Sequence, residues 1–315
     1  MKIFFSVDVH GATTVWRKWI SAVSIYEVDG LILSGDLTGK VLVPLILQGD
    51  GSYKGSYFGT TWTLKNDKEV ADFETKLSNA GAYYTKVTKE ELQELKDDPE
   101  KVKKIMEQEM AKRLKEWLAL LVEKVDTKKI LTIVMPGNDD EFVIDPVIKS
   151  FEKDGIIYPL DKILDIDGHE LVSFEYVNPT PWDTPREKDD RIIQRMIEEK
   201  IAKVKNPKNA IFNFHAPPFN TSIDLAPQLD KNMRLVGGLD GVKFVHVGSK
   251  SVRNAIEKYQ PILGLHGHIH ESSGFEKIGK TICLNPGSEY GEGLLRGYII
   301  DISKEGLESY FKIQG

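Results

Sequence analysis

The chain has 315 residues, of which 41% are hydrophobic, with a formal net charge of −6 and a pI near 5.7. That length allows one large domain or two smaller ones with a substantial core. The charge argues against a polycation that coats nucleic acid, while leaving room for a local basic groove.

Strand-like and helix-like segments alternate along the chain, which predicts an α/β fold. Residues 2–9 (KIFFSVDV) read as a buried strand, and 13–27 as a helix with Trp16, Trp19, Ile20 and Val23 at helical spacing. Strands follow at 30–37 and 129–135. Residues 155–177 read as a small antiparallel stretch, and 189–204 place Ile192, Ile193, Met196, Ile197, Ile201 and Val204 on one helical face. A strand at 210–215, a short helix at 251–259, strands at 262–266 and 281–285 and a C-terminal strand pair complete the series. Residues 39–128 interrupt it. Within them GDGSYKGSYFGTTW (49–62) reads as a loop or hairpin, and 98–125 as a long amphipathic helix. Cys283, the only cysteine, rules out an internal disulfide and reads as a small buried hydrophobe. The N-terminal residues lack the features of a signal peptide, and no apolar run reaches the length of a membrane span. The expectation is a soluble, cytoplasmic protein with no membrane partner.

Three of the seven histidines fall in GLHGHIHES: His266, His268 and His270. Four other stretches, DVH (8–10), SGD (34–36), PGNDD (136–140) and NFHAPP (213–218), also put metal-binding side chains where an apolar strand runs out. Sites in α/β sheets assemble at the carboxyl ends of strands. Asp8, His10, Asp36, Asn138, His215, His268 and His270 are therefore expected around one cavity. In extended backbone, alternate residues point the same way, so Asp8 with His10, and His268 with His270, can each grip one ion. Gly35, Gly137 and Gly267 leave room for close approach of backbone to the ions. A mixed Asp/His/Asn set suits Mn, Fe, Zn or Co and not Ca²⁺, and seven ligands suit two ions sharing a carboxylate.

This order of motifs resembles the calcineurin-like metallophosphoesterase family, with its D-x-H, GD, GN-[H/D/C], lone His and GH-x-H. Here they are Asp8-Val9-His10, Gly35-Asp36, Gly137-Asn138-Asp139, His215 and Gly267-His268-Ile269-His270. The resemblance implies a four-layer α/β/β/α sandwich with two divalent ions at the strand ends. It assigns Asp8, His10 and His270 to the first ion, Asn138, His215 and His268 to the second, and Asp36 to both. It implies hydrolysis of a phosphate ester by a hydroxide that the two metals activate, with phosphodiesters favoured. The partner would be a small phosphate ester or nucleotide. His266 lies outside the motif and is expected to be buried, orienting a ligand.

The chain departs from the family in two places. Asp139 replaces the histidine that many members carry after GN. It is a candidate general acid, though nearby cations would lower its pKa; the simpler reading is a site that favours good leaving groups or lets water protonate poorer ones. Residues 39–128 separate GD from GN by far more than is usual. The expected division is a metallophosphoesterase domain over 1–38 and 129–315, with a mainly helical inserted cap over 39–128. The cap's Tyr53, Tyr57, Phe58, Trp62, Tyr83 and Tyr84 line either a substrate pocket or the cap's own core, with the core reading preferred; an oligomer through this region is a further option. The Pro-rich NPTPWDTP (178–185) reads as a connector near the site. Two alternatives to the phosphoesterase stand: a nuclease of the same fold, which needs a basic groove, and a non-catalytic metal-binding scaffold, against which the filled ligand set argues.

Overall fold

The computed structural model describes residues 1–238 and 241–315. Two six-stranded sheets face one another. The first runs, edge to edge, Gly306–Gln314, Arg296–Ser303, Lys2–Ser6, Gly30–Ser34, Leu131–Met135 and Ile156–Ile157. The second runs Gly274–Ile278, Thr281–Asn285, Leu263–Leu265, Ile211–Phe214, His169–Phe174 and Leu164–Ile166. Helices are labelled in chain order as α1 (Thr13–Tyr26), α2 (Asp67–Asn79), α3 (Lys89–Asp97), α4 (Pro99–Lys124), α5 (Asp145–Ser150), α6 (Asp190–Ile201) and α7 (Lys250–Tyr259).

Three apolar clusters define the layers. Phe5, Val7, Ile133, Leu171, Ile211 and Leu265 fill the space between the sheets. Trp16 and Trp19 of α1 join Trp117 and Leu121 of α4 against the outer face of the first sheet. Ile193 and Ile197 of α6 join Val252 and Ile256 of α7 on the outer face of the second. This is the α/β/β/α sandwich that the motif order implies. Strands buried on both faces have no polar side to show, which is why they read as continuous apolar runs.

Strand direction places the functional residues. Lys2–Ser6 pairs parallel with Gly30–Ser34, and that strand pairs parallel with Leu131–Met135. In the second sheet Ile211–Phe214 runs parallel to Leu263–Leu265. The residues that follow these five strands therefore emerge at matching ends of their sheets. The 155–177 region differs from expectation in one respect. Leu164–Ile166 and His169–Phe174 form the antiparallel pair, but Ile156–Ile157 adds in parallel to the first sheet. Ile156 is buried in the cluster beneath α1 and α4, and that burial decides its sheet.

Residues 39–128 contain more helix than strand, yet they are organised on a sheet. Thr60–Leu64, Tyr53–Tyr57, Leu42–Leu47 and Tyr83–Val87 form it in that order. Val43, Leu45, Leu64, Val70, Phe73 and Leu77 make a separate small core, with Tyr53, Tyr57, Trp62 and Tyr84 packed against it. Most of the segment's aromatics thus serve its own interior. Tyr83 instead lies in the cluster beneath α1 and α4, and Phe58 at the hairpin tip is exposed. α4 begins with Asp98 accepting from the Lys101 amide and Pro99 in the first turn, where a missing N–H costs nothing. Its far end packs on α1, with the Trp16 and Trp117 rings stacked at 4.8 Å.

Candidate metal centre

All seven candidate ligands lie together. Asp8, His10 and His270 form one group whose ligand atoms are within 4.8 Å of one another; Asp36, His215 and His268 form a second. Asn138 joins the second group, its Oδ1 3.1 Å from His215 Nε2. Asp36 Oδ2 lies 3.7 Å from His10 Nε2 and 3.4 Å from His215 Nε2, so this carboxylate stands between the groups. His10 and His270 approach to 3.0 Å through their Nε2 atoms. Across the groups, Asp8 Oδ1 is 3.7 Å from His215 Nε2.

The local backbone is not the extended strand that simple alternation assumes. Asp8, His10, Asp36 and His268 all have positive φ, at 53°, 40°, 45° and 69°. Such backbone is uncommon outside glycine and gathers at functional sites, where surrounding structure must hold it. The spacing alone pairs His268 with His270, but the structure puts them in separate groups, as the motif resemblance assigns. Hydrogen bonds hold these turns. His10 N donates to Asp36 O at 2.8 Å and Gly11 N to Leu37 O at 2.9 Å. His268 N donates to Asp8 Oδ2, and Asp139 N to Asp36 Oδ1, both at 2.9 Å.

The motif glycines make room for side chains from other motifs more than for backbone near an ion. A Cβ on Gly35 would sit 2.0 Å from His215 Nδ1, one on Gly137 2.2 Å from Asp36 Oδ1, and one on Gly267 2.9 Å from Asp8 Oδ2. Gly35 also has a φ of +103°, a region closed to most side chains.

The charges are unbalanced for a buried site. Burial, with Asp36 nearby, raises the Asp8 carboxyl well above its usual range. Burial also opposes ionisation of Asp36, but His215, His10 and His268 hold it well below that range. Burial works against a charged His215 too, yet Asp36 and Asp8 lift it to about 9. Burial pushes His10 and His268 down to about 3. Asp8 Oδ1 is buried and has no hydrogen-bond partner. A buried oxygen left bare in this way is costly unless a cation faces it. The mixed imidazole, carboxylate and amide donors fit borderline divalent ions.

Further residues around the ligands hold them in place. Asp140 is buried and accepts from the Leu37, Thr38 and Gly137 amides and the Thr38 hydroxyl, which ties the second motif to the third. Thr184 Oγ1 accepts from Asn138 Nδ2 at 2.9 Å and donates to Glu187 Oε1, so Asn138 Oδ1 is turned towards His215. The Pro-rich loop is therefore more than a connector. The Tyr290 ring lies 4.6 Å from that of His10. Lys40 Nζ contacts Asp139 Oδ1 at 2.5 Å, while Asp139 Oδ2 lies 3.7 Å from His10 Nδ1. His266 is buried, and its Nδ1 lies 2.8 Å from Phe214 O and 3.0 Å from Ala216 O. It thereby braces the backbone on either side of His215.

With this geometry in view, the relatives can be placed. No family model matches the chain. The uncharacterized protein MJ1162 of Methanocaldococcus jannaschii is 34% identical over 174 residues, covering 54% of this chain and 69% of that protein. The crystal structure of TT1561 from Thermus thermophilus superposes with a TM-score of 0.52 at 13% identity, covering 100% of this chain and 97% of that one. Another crystal structure gives 0.57 at 13% identity, covering 99% and 98%.

The chain belongs to the family of MJ1162, and its fold is that of the calcineurin-like metallophosphoesterases.

A structure described as that of a novel archaeal phosphodiesterase aligns more loosely, at a TM-score of 0.38 and 13% identity over the whole of both chains. No helix among the described residues of this metallophosphoesterase-fold protein is long and apolar enough to cross a membrane.

Proposed function

We propose that the chain is a metal-dependent phosphoesterase that acts on small phosphate diesters. The observation that carries this reading is the pair of adjacent ligand groups with Asp36 between them and the bare Asp8 Oδ1 facing inward. Asp8, His10 and His270 would hold one divalent ion, Asn138, His215 and His268 a second, and Asp36 both. When bound, such ions neutralise charge on the phosphate and supply an activated water as nucleophile.

The protein's own part is positional. The amides and turns described above fix the ligands before any ion arrives. Thr184 and Glu187 orient the Asn138 amide, and His215 Nδ1, 3.3 Å from Ser34 O, directs Nε2 into the site. Lys40 brings a cation to the rim through Asp139. Among the described residues, no Ser/His/Asp or Cys/His arrangement accompanies the site. Cys283 is fully buried, and burial pushes its thiol up, away from the reactive thiolate.

Asp139 is the candidate proton donor to the leaving oxygen. Burial, then Asp36, raises its carboxyl to about 7, while Lys40 and bound cations work against this. If Asp139 donates the proton, Asp139→Asn lowers kcat for poor leaving groups and reshapes the pH profile. An unchanged profile leaves Asp139 the task of holding Lys40 and the Asn138 amide.

The reading is tested by stripping the protein of metal, reconstituting it with Mn²⁺, and comparing bis-p-nitrophenyl phosphate with p-nitrophenyl phosphate. Metal-dependent turnover, faster on the diester, is expected. Absence of turnover on both, with ions bound, would return the scaffold alternative.

A further inference from the structure

Beside the candidate metal centre lies a pocket of about 270 Å³ between α4 and the turn at Trp182–Pro185. Two of its lining residues are shared with the centre. Asp139 points one carboxylate oxygen towards His10, beside the first ligand group. The Thr184 hydroxyl bonds Asn138, in the second group. The pocket therefore opens alongside both groups, where an ester arm of a phosphate held between them would project.

The walls limit what that arm is. Pockets for drug-sized ligands run to about 300–1,000 Å³, so 270 Å³ suits one small group and not a polymer. Met106 and Met110 line the α4 side, and Trp182, 62% exposed, lines the other. Indole and thioether together form an adaptable clamp for a flat ring. Of the charged groups, Lys40 pairs with Asp139, and Lys103 lies 3.9 Å from Glu107. Glu141 and Asp183 remain on the wall without such a lysine. A second phosphate or a carboxylate on the arm would be repelled there.

Resting on the phosphoesterase reading, we propose that this pocket is a specificity subsite for one flat, uncharged ester arm of aryl or nucleoside type, clamped between Trp182 and the α4 methionines.

The test compares wild type with Trp182→Ala in Mn²⁺-loaded protein. The side chain is exposed, so the variant is expected to fold. The readouts are KM for bis-p-nitrophenyl phosphate and the inhibition constant of inorganic phosphate, which has no arm. Losing one aromatic clamp is expected to raise KM about three- to tenfold and leave phosphate inhibition unchanged. An unchanged KM overturns the proposal, and so does an equal shift in both, because the variant would then be disturbing the metal centre. If wild type turns over neither ester, the catalytic reading fails by itself. Calorimetric binding of p-nitrophenyl phosphate and inorganic phosphate then decides the pocket. Tighter binding of the aryl ester, lost in Trp182→Ala, supports the subsite; equal binding of the two overturns it.

Discussion

Asn138 shows how much of the site is set by residues that are not themselves candidate ligands. Its amide has two ends, and only the oxygen is of use to a cation. Thr184 Oγ1 and Asp139 Oδ1 both accept from the nitrogen end, and Thr184 is itself held by Glu187. Thr184→Val keeps the shape and removes that bond. Metal affinity is expected to fall about 10- to 100-fold, the usual effect of losing a partner of this kind. Calorimetric Mn²⁺ titration reads this directly, and an unchanged affinity would show that Thr184 does not set the amide. At this scale, the seven candidate ligands were legible because carboxylates and imidazoles at the ends of apolar strands are chemically conspicuous. Asp140, Thr184 and Lys40 were not. Their roles come from contacts across long sequence separations, and an Asp, Thr or Lys in a polar loop is ordinarily just exposed. Nor was the left-handed backbone at Asp8, His10 and His268 legible.

Among the elements, the informative junction is between α4 and the start of α1. Arg113 is buried, and its guanidinium donates to Gly11 O at 3.1 Å and Ala82 O at 2.8 Å while lying over the Tyr83 ring. One side chain thus ties three segments: the turn after His10, the strand entering from the 39–128 region, and α4. Arg113→Met leaves both carbonyls unpartnered in the interior. A loss of about 3 kcal/mol is expected from two charge-assisted bonds at about 1.5–3 kcal/mol each. Urea unfolding checks this; a loss below about 1 kcal/mol would show that the junction stands without it. The long helix and the sandwich strands were legible from period and apolar length. Of the four-stranded sheet within 39–128, only the hairpin of Tyr53–Tyr57 and Thr60–Leu64 was legible, and only as one of two readings of 49–62. YKGSY and TTWTL each bury a single residue, so the alternation that marks a strand is almost absent.

Across the whole molecule, the candidate metal centre gathers buried titratable groups that make stability depend on pH. Burial holds His10, His266 and His268 neutral, with pKa values of about 3, 4 and 3 against an ordinary 6.5. Unfolded, they take up protons below 6.5; folded, they do not. Stability present above pH 6.5 is therefore lost as pH falls towards 4. His215 has the opposite sign: its folded value of about 9 gives stability below 6.5 that is lost as pH rises through 9. The raised Asp8 and Asp139 carboxyls work the other way and gain as pH falls. The histidine contribution is therefore read by difference: between pH 7 and pH 5 the urea midpoint of metal-stripped His266→Gln is expected to fall less, or rise more, than that of wild type. An equal change in the two would show that His266 does not carry this pH dependence. Mn²⁺ at pH 7 is expected to raise Tm, because ions that bind only the folded chain stabilise it by mass action.

Everything proposed for the site depends on seven side chains holding two ions with Asp36 between them. The direct measurement is elemental analysis of Mn²⁺-reconstituted wild type and Asp36→Ala after removal of free metal. Two ions per wild-type chain and a clear deficit in the variant are expected. At most one ion in wild type, or two retained at wild-type affinity without Asp36, would contradict the shared centre.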